Sequence, residues 1–109
     1  MRFTFLLSLL ALTVASTAHA ADKPQFQLSI KDHKFNVEEL SVPANTAFTL
    51  IVKNEDKSAE EFESHKMKVE KLIPANSESV IHVKPLKAGS YPFMGEFHES
   101  TAKGVIIAQ

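Results

Sequence analysis

The run Gly89-Ser90-Tyr91-Pro92-Phe93-Met94-Gly95-Glu96-Phe97-His98, with Lys103-Gly104-Val105-Ile106-Ile107 soon after it, decides the fold class. Successive side chains of an extended chain point to opposite faces. Tyr91, Phe93 and Phe97 therefore alternate against Met94, Glu96 and His98, provided Gly95 does not break the strand. The second run is β-branched and short, as a buried strand should be. Strands are predicted at about Gly89–Met94 and Gly104–Ala108. Working outward, similar runs predict strands at about Gln25–Lys31, Leu40–Val42, Thr46–Lys53, Phe62–Glu70 and Ser77–Val83. Phe26, Leu28 and Ile30 share one face, as do Phe48, Leu50 and Val52, and Ile81 pairs with Val83 against Val80, His82 and Lys84. Pro43-Ala44-Asn45, Asn54-Glu55-Asp56-Lys57, Pro74-Ala75-Asn76 and Pro85-Leu86-Lys87-Ala88-Gly89 carry turn chemistry between them. No segment sustains a 3.6-residue period, so the expectation is an all-β fold: a Greek-key β-sandwich of seven or eight strands.

Composition narrows the function classes. The chain has 109 residues, 44% of them hydrophobic and 23% charged, with Lys and Arg totalling 12 against 13 Asp and Glu. One small domain is the limit. A net charge of -1 offers no basic footprint for nucleic acid. With no Cys there is no disulfide scaffold, no thiolate metal site and no cysteine nucleophile.

The first 20 residues are set apart from the fold. Arg2 precedes the apolar run Phe3–Val14, and Ala18-His19-Ala20 is a small-x-small cleavage site, so residues 1–20 read as a secretory signal peptide and residues 21–109 as the mature domain. The apolar run is too short to cross a hydrocarbon core of about 30 Å, and no Cys follows it to accept a lipid. A periplasmic, monomeric protein without a transmembrane segment is expected.

Two segments carry more chemistry than a strand or a turn needs. In Glu60-Glu61-Phe62-Glu63-Ser64-His65-Lys66-Met67, extended backbone would align Glu61, Glu63, His65 and Met67. In the opening run it would align Met94, Glu96 and His98. Imidazole suits copper, iron and zinc, thioether selects Cu(I), and carboxylate suits harder ions such as iron and manganese. A mixed set of this kind could hold copper, or copper beside iron. His33 and His82 read as surface or turn residues, and the Glu55–Glu63 acidic residues otherwise read as a solvated face. No HExxH, Walker A, GxSxG or GxGxxG motif occurs.

The opening run, followed by Gly104-Val105-Ile106-Ile107, resembles the last two strands and ligand loop of the cupredoxins, whose pattern is G-x-Y-x-F-x-C-x-x-H, then Met, then G-x-[IV]. More narrowly, Lys31-Asp32-His33-Lys34-Phe35, Glu61-Phe62-Glu63-Ser64-His65 and Gly95-Glu96-Phe97-His98-Glu99 resemble the small periplasmic cupredoxin-like proteins of bacterial ferrous-iron permease systems. The resemblance implies a cupredoxin-like sandwich with His65 as first histidine ligand and His98 as second, the two meeting at one pole. Gly95 stands where cupredoxins place Cys, and Lys103 where they place the axial Met, so a blue-copper centre is contradicted by the sequence itself. Met94, Glu96 and Glu63 are the candidates to replace the missing donors. The implied function is copper binding in support of ferrous-iron uptake, by accepting or relaying electrons from Fe(II), with an iron permease or another periplasmic iron-uptake component as partner. Such a protein is an electron-transfer or metal-binding protein more than an enzyme. The rivals are a copper carrier or buffer without redox turnover and a metal-free docking module.

Overall fold

The computed structural model describes residues 23–109; the expected leader and cleavage site lie outside the described residues. Nine strands run in the order β1 Gln25–Lys31, β2 Lys34–Phe35, β3 Glu39–Val42, β4 Phe48–Asn54, β5 Glu60–Ser64, β6 Val69–Ile73, β7 Ser77–Val83, β8 Gly89–Gly95 and β9 Lys103–Ala108, with one 3₁₀ turn at Glu96–His98. They form a four-stranded sheet, β2-β1-β4-β7, and a five-stranded sheet, β3-β9-β8-β5-β6. The pairings β1 with β4 and β3 with β9 are parallel; the others are antiparallel. The all-β sandwich expectation is met. No helix among the described residues is long and apolar enough to cross a membrane.

The core lies where the two inner faces meet. Leu28, Ile30, Leu50, Val52, Phe62 and Ile106 are fully buried. Phe62 stacks on Phe93 at 5.1 Å between centroids, and Phe35 stands edge-on to Phe93 at 4.9 Å. Phe93 faces Gly104 across the β8–β9 ladder, and a Cβ at Gly104 would fall 2.3 Å from its ring. Glycine is required there because the aromatic ring occupies the side-chain space. The Tyr91 hydroxyl donates to the Lys87 carbonyl, 2.6 Å, fixing the entry to β8.

One predicted strand is corrected. Phe62–Glu70 is not a continuous strand but the end of β5, a turn at His65–Lys68 and the start of β6. The turn contains no Gly, Pro or Asn to announce it. Instead the Ser64 hydroxyl accepts from the Met67 N–H at 3.3 Å, the Lys68 N–H donates to the His65 carbonyl at 3.1 Å, and Lys68 takes a left-handed φ of 57°. Local side-chain bonding of this kind competes with strand extension. The alignment of Glu61 and Glu63 with His65 and Met67 therefore fails at the turn, and Met67 packs instead against the core.

Candidate metal centre

Strand parity divides the acidic residues of β5 between two places. Because Phe62 is inward, Glu60 and Ser64 are inward too, while Glu61 and Glu63 face outward. Gly95 ends β8, and the 3₁₀ turn that follows sends Glu96 to the outer group and His98 to the inner one. Met94, Glu96 and His98 therefore do not share a face.

The inner group occupies one pole of the sandwich. The Glu60 carboxylate is only 3% exposed, and its Oε2 lies 2.5 Å from His98 Nδ1. Its Oε1 accepts from the Glu61 N–H at 3.0 Å and the Phe97 N–H at 2.8 Å. His33 stacks on the His98 ring, with centroids 3.5 Å apart and planes 11° from parallel. His33 reaches this position because Asp32 and His33 form a two-residue hairpin turn with φ of 51° and 60°, the backbone that such tight turns demand. Neither residue is Gly, and Asp56 holds them there: Oδ1 accepts from the Asp32 N–H at 2.7 Å and Oδ2 from the His33 N–H at 3.0 Å. Burial works to raise the Asp56 carboxyl, but these two N–H donors and the two imidazoles outweigh it and hold the group below its ordinary value.

Asn54 builds the loop that delivers Glu60. It is buried, its Nδ2 donates to the carbonyls of Ser58 and Ile73 at 2.8 and 3.1 Å, and its Oδ1 accepts from the Asp56 N–H at 3.0 Å.

The outer group is a carboxylate cluster. Glu61, Glu63, Glu70 and Glu96 each place one carboxylate oxygen within 4.8 Å of the others. Register explains it: Glu63 is opposite Glu70 on β6 and opposite Met94 on β8. His65 Nε2 lies 3.3 Å from Glu63 Oε1, on a side chain that is 79% exposed. Glu61 Oε1 is buried and meets no hydrogen-bond donor among the described residues. A proton held between Glu61 and Glu70, and then Glu96, would supply the missing donor, and this pushes the Glu61 carboxyl up to about 7, with lost solvent and the charge of both neighbours adding to it. The same contact with Glu96 raises Glu63, opposed by His65.

Of the five residues expected to hold metal, Glu63 and Glu96 come together directly, with Met94 beside Glu63 by register and His65 in contact with it. His98 is separate. Glu60, which holds His98, and His65 lie at opposite ends of β5, roughly 17 Å of strand at about 3.3 Å per residue. The expectation that His65 and His98 meet is therefore corrected, and Glu60 takes the place given to His65. Sequence reading missed Glu60 because it began the strand at Phe62; parity from the inward Phe62 is the signal that finds it. It missed Glu70, which enters through the unannounced turn, and it placed His33 in a turn without seeing its stack on His98.

A Cys₁His₂ copper centre does not fit these residues. A Cβ at Gly95 would fall 2.6 Å from Glu60 Cδ and 2.8 Å from Ala102 Cβ, so the thiolate position is filled. His98 already commits Nδ1 to Glu60.

Residues 4–108 match the cupredoxin-like domain, and the chain belongs to that family. It is similar to the uncharacterized protein RP394 of Rickettsia prowazekii (strain Madrid E), 42% identical over 76% of this chain and 66% of that protein, so it spans just under two thirds of the relative's length. In structure it is similar to auracyanin A, a "blue" copper protein of Chloroflexus aurantiacus, with TM-score 0.68 and 13% identity over 81% of this chain and 100% of that one. Amicyanin from Paracoccus versutus is similar at TM-score 0.61 and 16% identity, over 84% of this chain and 86% of that one. These structural likenesses define the fold.

Proposed function

We propose that this chain is an exported, periplasmic metal-binding protein of the cupredoxin-like family that supports ferrous-iron uptake, with iron as its cargo at Glu61, Glu63, Glu70 and Glu96. The observation that carries this reading is the orphaned Glu61 oxygen inside a four-carboxylate cluster. Crowded carboxylates without donors need protons or a cation, and an oxygen-rich set suits iron better than Cu(I). An iron permease or another periplasmic iron-uptake component is the partner this role requires, and a monomer suffices for it. Accepting an electron from Fe(II) at a blue-copper centre is not part of the proposal, because the donor set at the pole does not fit one.

A second reading is a copper carrier or buffer without redox turnover, favoured by the contact of His65 with Glu63 and by Met94 opposite Glu63. Thioether and imidazole are the softer donors copper takes. Anaerobic titration of residues 21–109 with Fe(II), and separately with Cu(I), distinguishes the two. Under the first reading Fe(II) binds, E63Q/E96Q weakens it roughly 10-fold or more, and H65A/M94L changes it little. Binding of Cu(I) that is lost in H65A/M94L, with no binding of Fe(II), establishes the carrier instead. Absence of binding by either ion leaves the docking module and ends both metal readings.

A further inference from the structure

We propose that the pole at Glu60 and His98 is a metal-free carboxylate–imidazole lock, in which Glu60 replaces both a metal ion and one of its ligands. The proposal concerns a different site from the outer cluster and does not rest on the iron reading.

The hydrogen-bond inventory carries it. Both Glu60 oxygens are engaged: Oε1 by two backbone N–H groups and Oε2 by His98. A buried carboxylate is tolerated only when paired and hydrogen-bonded, and here that requirement is met without a cation. The contrast with Glu61 is direct, since its buried oxygen has no donor among the described residues. A metal at the pole would have to displace the imidazole from Oε2 and still would find no third side chain at Gly95, where Glu60 and Ala102 fill the space. The stacked His33 ring covers one face of His98, and Asp56 pins the turn that carries it.

The lock also does the mechanical work of a metal. Glu60 starts β5, His98 closes the 3₁₀ turn after β8, and His33 belongs to the β1–β2 turn. These segments come from both sheets, and the Glu60–His98–His33 contacts join them at one point. Asp56 adds the loop after β4.

The test uses the chelator-treated mature chain, residues 21–109, titrated with Cu(II) while the amide and imidazole resonances are followed. The expected result is that the His33 and His98 side-chain signals keep their positions and widths up to one equivalent, with E63Q/E96Q run alongside the wild type to remove broadening that reaches the Gly95 and Phe97 amides from Cu(II) on Glu96. Selective broadening of the two imidazoles first overturns the proposal. A second arm rebuilds the missing donors: E60H/G95C should gain an intense thiolate-to-Cu(II) charge-transfer band that the wild type and E60H lack. A folded E60H/G95C protein that binds Cu(II) without that band overturns the positional assignment of Glu60. If E60H/G95C does not fold, the wild-type titration decides alone. Failure of Fe(II) to bind at the outer cluster would sink the iron reading and leave both results here unchanged.

Discussion

Glu60 and Glu61 are consecutive residues, yet parity turns one carboxylate inward to three donors and the other outward to two more carboxylates. The outward one sets a pH dependence. The Glu61 carboxyl stands at about 7 in the folded chain against an ordinary 4.5, so the folded state binds the proton more tightly than the unfolded state. For a raised group the stability is complete below the unfolded value and is lost as pH rises through the folded one. Glu63 is shifted in the same direction. The thermal midpoint of the metal-free protein is therefore expected to fall between about pH 4.5 and pH 7.5, and E61Q should fall less steeply. A wild-type midpoint that stays level across that window, or an E61Q curve as steep as the wild type, refutes the assignment. Asn54 makes a second residue-scale prediction. N54A removes donors and an acceptor from a buried loop and should destabilise the protein by about 2 kcal/mol or more, read as a shift in urea midpoint at unchanged slope. A change below about 0.5 kcal/mol would show that the loop holds itself.

At the scale of elements, the β1–β2 turn is a left-handed pair of non-Gly residues, of types that tolerate this backbone better than most, and Asp56 pins it by accepting from both amides. D56A should cost roughly 1–2 kcal/mol and speed amide exchange at Asp32 and His33 ahead of the rest of β1. The Asp56 carboxyl is lowered, so the acid side has the opposite sign from Glu61: its contribution is present above the ordinary value of 3.8 and disappears as pH falls through the lower folded value. Uniform exchange throughout β1 and its turn in D56A would count against this account. The same elements show what sequence reading could and could not reach. The spans Gln25–Lys31 and Ser77–Val83 agree with β1 and β7 because apolar alternation and flanking turn residues point the same way. The break after Ser64 was hidden, since His65-Lys66-Met67-Lys68 bends by a hydroxyl contact and one strained residue. Half of the candidate site was legible, because Glu63, Glu96 and Met94 belong to strands or their ends. Glu70 and Glu60 depend on where a strand starts, which composition does not mark.

At the scale of the molecule, the expected architecture holds, and its two parallel pairings make it non-local. Among the described residues β3 pairs with β9 alone, and β9 joins it to β8. Deleting residues 103–109 should therefore abolish the cooperative unfolding transition altogether, seen as loss of near-ultraviolet circular dichroism and of amide dispersion. A truncated chain that still unfolds cooperatively would mean the remaining strands form a self-sufficient sheet. Folding of the intact chain is expected to fall in the slower range typical of sandwiches dominated by distant contacts.

The position of β9 in its sheet also bears on when the chain can close. β3 and β8 both precede β9 in the chain, but β9 lies between them and supplies the ladder to each. A polypeptide emerging amino end first from a ribosome or a narrow pore thus exposes two incomplete sheet edges until this last wedge arrives. Threading is easy in that interval, and premature association with other chains is its hazard.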